Sequence, residues 1–174
     1  MSAAMDSLTI NEQNQIKKSY KSCIFISYKS QDKNWAIEVG KYIKDIYKID
    51  IYLDITDSGL QSAAERGDDK EIVKHIQNAL SMSTHLMCLV SNATQTSWWV
   101  PYEVGYAKKS DKKISTLKYK DILDVPSFLK VEDVIRGSKQ LNVYLSTITR
   151  DKVFDEMKSY NRHGYNLNNY LDWI

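Results

Sequence analysis

A doubly wound α/β fold with helices on both faces of a parallel sheet is what this sequence predicts, and three observations predict it. Short apolar runs alternate with segments whose apolar residues recur at helical spacing. The runs CIFISY (23–28) and THLMCLVS (84–91) are continuously apolar rather than alternating, as strands covered on both faces must be. The order β-α-β-α-β-α-β needs crossover connections, which join parallel neighbours and are right-handed.

Each element has a local reason. After the first strand, Asp32 is placed to cap a helix whose apolar residues Trp35, Ala36, Val39, Tyr42, Ile43 and Ile46 share one face. IDIYLD (49–54) reads as the second strand. The following TDSGLQSAAERGDD (56–69) is a long polar stretch with two glycines, read as a loop of the kind that is functional or mobile. Asp69 is placed to cap the next helix, which carries Ile72, Val73, Ile76, Ala79 and Leu80 on one face. The third strand, 84–91, leads through NATQT into a helix bearing Trp99 and Glu103, and a fourth strand is expected at 114–119. VPSFLKV (125–131) reads as a last edge strand, and Leu141, Leu145 and Ile148 mark a helix. The tail after 150 has Phe154, Met157, Tyr160, Leu171 and Trp173 to dock it, on the domain or in a contact between subunits. A flavodoxin-like arrangement fits this order best.

Composition bounds the function. A chain of 174 residues suits one domain with one substantial core. Its net charge of +2 supplies no field to draw it to nucleic acid or an anionic membrane. No apolar run approaches the roughly 20 residues of a bilayer span, and the polar start MSAAMDSLTINEQNQ has no signal-peptide core, so a cytoplasmic protein is expected. Cys23 and Cys88 lie in strand-like runs, ordinary places for reduced buried thiols. His75, His85 and His163 have no metal-ligand spacing, and GxGxxG, GxxxxGK[ST] and GxSxG are all absent.

Ligands of an open α/β sheet bind beyond the carboxyl ends of its strands, where the winding reverses. That rule selects Ser27, Tyr28 and Lys29 at the end of strand one, Asp54 at the end of strand two, and Ser91 and Asn92 at the end of strand three. On the next helix Val100, Val104 and Ala107 form the buried stripe, with Trp99 and Glu103, four residues apart, side by side at its margin. Glu103 is thus expected to reach the crevice without entering the core. The same spacing suits an ordinary surface glutamate, Trp99 and Trp98 suit ordinary packing, and Asp32 and Asp69 suit caps.

From residue 23 to about 149 the chain resembles a Toll/interleukin receptor (TIR) domain. The resemblance rests on FISYKSQD, YLD before the long loop, EIVKHIQNAL, and LMCLVSNATQTSWWVPYEVGYA, in which Ser97, Trp99 and Glu103 match the family's S-x-W-x-x-x-E pattern. Residues 1–22 and 150–174 read as N- and C-terminal extensions. The stretch SGLQSAAERGDDKE departs from the family by being longer and more charged.

What the resemblance implies is an enzyme that cleaves NAD+ between nicotinamide and ribose, with Glu103 as the catalytic carboxylate. Tyr28 and Trp99 would wall the nicotinamide or ribose, Ser27 and Lys29 would reach toward the diphosphate, and Asp54 with its loop would cover the site or meet a neighbouring subunit. NAD+ would be the substrate, with no cofactor and no metal. Similarity to the bacterial Thoeris antiphage TIR proteins implies a cyclic ADP-ribose isomer or related signal for a separate effector, and self-association through TIR–TIR contacts. The alternative is a TIR adaptor without chemistry, a class whose members often lack the glutamate. A phosphoacceptor module of the same fold would need an acidic cluster after strand one, and FISYKS has none.

Overall fold

Five parallel strands form one sheet in the order β2-β1-β3-β4-β5 in the computed structural model, which describes residues 22–149 and 165–172. The strands are β1 (Cys23–Ser27), β2 (Asp50–Tyr52), β3 (His85–Val90), β4 (Lys113–Lys118) and β5 (Asp133–Ile135). The helices are α1 (Lys33–Tyr47), α2 (Ser58–Arg66), α3 (Asp69–Met82), α4 (Trp99–Lys109) and α5 (Ser138–Thr149). This is the flavodoxin-like order, whose winding reverses between β1 and β3.

Alternation along the strands divides the core in two. Ile24, Ile26, Met87, Leu89 and Leu117 face one side, with Trp35, Val39 and Ile43 of α1 and Leu141 and Leu145 of α5. Phe25, Leu86, Cys88 and Val90 face the other, with Leu80 of α3 and Val100, Val104 and Ala107 of α4. All six residues of β3, the central strand, are buried, which is why its sequence is continuously apolar. Leu167 and Leu171 are buried against the first layer, so residues 165–172 pack on the domain, and Asp172 bridges Gly137. Phe154, Met157, Tyr160 and Trp173 lie outside the described residues.

Several elements differ from expectation, each for a local reason. The polar stretch after β2 is largely helix. Asp57 caps α2 by accepting from the Leu60 amide at 2.9 Å, Leu60 and Ala63 are buried, and Gly67 ends the helix at φ 66°. The edge strand is not 125–131: Pro126 opens a 3-10 turn over Ser127–Leu129, and the strand is the shorter Asp133–Ile135. Asp68, not Asp69, caps α3, because its carboxylate lies three residues before the Glu71 amide it accepts from. Asp32 sits at the start of α1 without capping it, since its carboxylate accepts from the Ser91 hydroxyl at 2.6 Å. Trp98 is not core packing but 91% exposed.

Candidate active site at the carboxyl ends of β1 and β3

The pleat decides which side chain leaves β1 toward α4. Ser27 follows Phe25 by two residues and so faces the layer that α4 covers. Its hydroxyl donates to Oε2 of Glu103 at 2.5 Å. Ser97 starts α4 by accepting from the Val100 amide at 3.2 Å, and Pro101 is tolerated in the first turn, where its missing N–H has no helical partner. One turn further, Glu103 points inward. It is buried, with 9% of its surface exposed, and this corrects the expected position at the helix margin.

Burial has an electrostatic consequence. Desolvation disfavours the charged carboxylate and pushes the Glu103 pKa up to about 8; the Ser27 hydrogen bond opposes this, and the nearby Asp54 charge adds to it. A carboxylic acid held at that value gives up its proton readily when a cation stands beside it. The Cys88 thiol beneath it is fully buried and pushed well above the ordinary thiol range by desolvation, which keeps it an inert neighbour.

Tyr28, the residue after β1, donates its hydroxyl to the carboxylate of Asp54, two residues beyond β2. Its phenol pKa is raised, first by burial and then by that hydrogen bond. Lys29 reaches across to the Thr96 carbonyl at 3.5 Å, on the loop that enters α4. Beyond β3, the Ser91 hydroxyl accepts from the Ala93 amide at 3.1 Å while donating to Asp32. Ser27, Tyr28, Lys29, Asp54 and Glu103 therefore gather at one end of the sheet. Trp99, one turn before Glu103 on α4, takes no part in these hydrogen bonds; it is 39% exposed and edge-to-face with Tyr102 at 6.0 Å.

Three residues that sequence reasoning passed over adjoin the group. The Tyr52 hydroxyl donates to Asp57 at 2.8 Å, and His75 Nδ1 lies 3.2 Å from the same carboxylate oxygen. The Glu103 charge contributes to the raised pKa of Tyr52, behind burial and the Asp57 contacts, so Tyr52 lies within electrostatic range of the crevice. Alternation in IDIYLD puts Tyr52 on the face of Phe25, with which it stacks at 5.0 Å, and was the available signal. Among the described residues, no three His, Cys, Asp or Glu side chains gather as metal ligands. A groove of about 630 Å³, lined in part by His85, Lys113 and Tyr144, opens at the amino ends of β3 to β5, away from this chemistry.

The fold is that of TIR-like domains. It is similar to the TIR domain of the Toll-related receptor TRR-2 from Hydra magnipapillata, with TM-score 0.56 and 16% identity over 74% of this chain and 95% of that one. It is also similar to the SEFIR domain of interleukin-17 receptor B, with TM-score 0.51 and 9% identity over the same shares. No curated protein matches the chain. The family model described as "Thoeris protein ThsB, TIR-like domain" matches residues 10–121, well over half the sequence, and the chain belongs to that family. The match begins within the segment read as an N-terminal extension. No helix among the described residues is long and apolar enough to cross a membrane.

Proposed function

We propose that this protein cleaves the nicotinamide–ribose bond of NAD+, with Glu103 as the catalytic carboxylate. The observation that carries this is a buried glutamate bonded to Ser27 at 2.5 Å, with its pKa pushed up to about 8, at the switch point of an open α/β sheet. Perturbed carboxyl groups in such crevices are where catalytic chemistry concentrates.

Nicotinamide in NAD+ is a pyridinium and leaves without protonation. As its cationic ring enters, ionised Glu103 is favoured, and the carboxylate holds the ribose hydroxyls. The C1′–N bond breaks with its electron pair moving to the ring nitrogen, so nicotinamide departs neutral. The positive charge that builds on the ribosyl ring meets the negative field of Glu103 in a site of low dielectric. Water then bonds C1′ and loses a proton to solvent or to Glu103, giving ADP-ribose. Attack by a nucleophile of the same ADP-ribosyl moiety gives a cyclic isomer instead, the product favoured here because of the Thoeris family membership. Tyr28 and Trp99 wall the substrate, Lys29 faces its diphosphate, and Asp54 fixes the Tyr28 ring.

A signal of this kind requires a separate effector that senses it, as part of bacterial antiphage defence in the cytoplasm. Self-association would let one copy complete the site of the next. The exposed Trp98, at the same end of the sheet, supports such a contact, which is also what the alternative of a TIR interaction module without chemistry would use.

The test is nicotinamide release from NAD+ by concentrated protein beside Glu103→Ala, with products separated by chromatography and weighed by mass spectrometry. Release lost in the variant supports the enzyme, and the product mass separates ADP-ribose from a cyclic isomer. No release, even with phage-infected lysate added, would favour the interaction module.

A further inference from the structure

We propose that His75 is a positioning residue for the Glu103 crevice, acting through Asp57 to hold the segment 54–66 that carries Asp54. This rests on the reading of Glu103 as the reacting carboxylate.

One carboxylate does three tasks here. Asp57 Oδ1 accepts from the Leu60 amide at 2.9 Å and so starts α2. Its Oδ2 takes the Tyr52 hydroxyl from β2 at 2.8 Å and faces Nδ1 of His75, from α3, at 3.2 Å. Strand, helix start and neighbouring helix are thus tied at a single side chain. Burial pushes the Asp57 pKa up, but the Leu60 amide, the Tyr52 hydroxyl and His75 together outweigh it and hold the carboxyl below its ordinary value. The other ring nitrogen of His75 lies 3.7 Å from Oε1 of Glu71, one turn earlier on α3, so the imidazole is held between two carboxylates.

The tie reaches the crevice through backbone. The Asp57 amide donates to the Asp54 carbonyl at 3.0 Å, and the Gln61 side chain donates to that carbonyl at 3.1 Å. Asp54 in turn receives the Tyr28 hydroxyl, and its charge acts on Glu103. A shift of Asp57 therefore moves Asp54, Tyr28 and the field at Glu103 together. Gly59 makes room for this. A β-carbon there would stand 2.3 Å from Cε1 of His75, so any larger residue displaces the imidazole from Asp57.

The experiment compares His75→Ala, His75→Asn and Gly59→Ala in the full chain. Two quantities are read: KM and kcat for NAD+ cleavage, and the titration midpoint of the Glu103 carboxyl by carbon NMR. In His75→Ala and Gly59→Ala, assayed above pH 8 where Glu103 is mostly ionised, we expect KM to rise about tenfold with kcat within twofold, and the Glu103 midpoint to fall as Asp54 moves away. His75→Asn returns an N–H near the place of Nδ1 and restores both. Gly59→Ala tests the same tie from the other side, because it pushes the imidazole off Asp57 while leaving the histidine in place, and the Glu103 midpoint is the readout that a loss of stability alone would not move. KM and midpoint unchanged in both His75→Ala and Gly59→Ala would overturn the proposal. If wild type releases no nicotinamide, the proposed reaction fails, yet the midpoint still decides the positioning role, by moving or staying.

Discussion

Ser27 at the end of β1 and Glu103 on α4 are 76 residues apart and share a hydrogen bond of 2.5 Å. It favours the charged form of a carboxyl that burial disfavours. Removing it in Ser27→Ala should raise the Glu103 midpoint above about 8 by one to two units, because hydrogen bonds to charged groups contribute about 1.5–3 kcal/mol. At neutral pH the variant should cleave NAD+ roughly tenfold or more slowly, recovering as pH rises. Carbon NMR titration and a pH series of rates check both parts.

The same burial predicts how stability depends on pH. The folded pKa of Glu103, about 8, exceeds its ordinary value of 4.5, so the native state keeps a proton that the unfolded chain gives up. Stability is therefore lost as pH rises from about 4.5 toward 8, at up to about 1.4 kcal/mol per unit. Glu103→Gln removes this dependence. Its stability gain over wild type should grow by a few kcal/mol between pH 5 and pH 8, measured by urea unfolding. Equal gains at both values would mean that Glu103 is not held protonated.

Trp98, 91% exposed, buries too little to stabilise the monomer. Trp98→Ala should change unfolding free energy by no more than about 0.5 kcal/mol. If this ring joins copies, the variant should lose the dependence of specific activity on protein concentration, as read by rate assays across a dilution series.

Cys88 is sealed in the second core layer, with its thiol pushed up by burial. Iodoacetamide should leave it unmodified in the native protein and label it only after unfolding, with peptide mass spectrometry as the check. Labelling at the rate of a free thiol would mean that the layer under Glu103 opens.

The sheet was legible because its signals are local. A continuous apolar run such as HLMCLV has one good environment, and a strand after it in a βαβ order has one handedness. Topology put Ser27, Tyr28, Lys29 and Asp54 at one edge of the sheet, whereas Glu103, whose spacing also suits a surface glutamate, was singled out by the S-x-W-x-x-x-E resemblance. Three things were hidden. Helix α2 has only Leu60 and Ala63 to bury, so its polar sequence read as loop although Asp57 and Gly67 punctuate both ends. Whether Glu103 lies at the helix margin or inside depends on a few tens of degrees of helix rotation, set by how Val100 and Val104 pack, which spacing does not fix. The contact of His75 with Asp57 joins positions 18 residues apart on different helices and leaves no motif.

The proposed role of an ionised Glu103 in cleaving NAD+ is best tested by the pH profile of kcat/KM for nicotinamide release. That quantity reports groups of the free enzyme. In wild type the rate should climb with pH through a midpoint of about 8 and level above it, and Glu103→Gln should show a near-absent rate at every pH. A profile flat from pH 6 to 9, or a variant that keeps wild-type turnover, would contradict it.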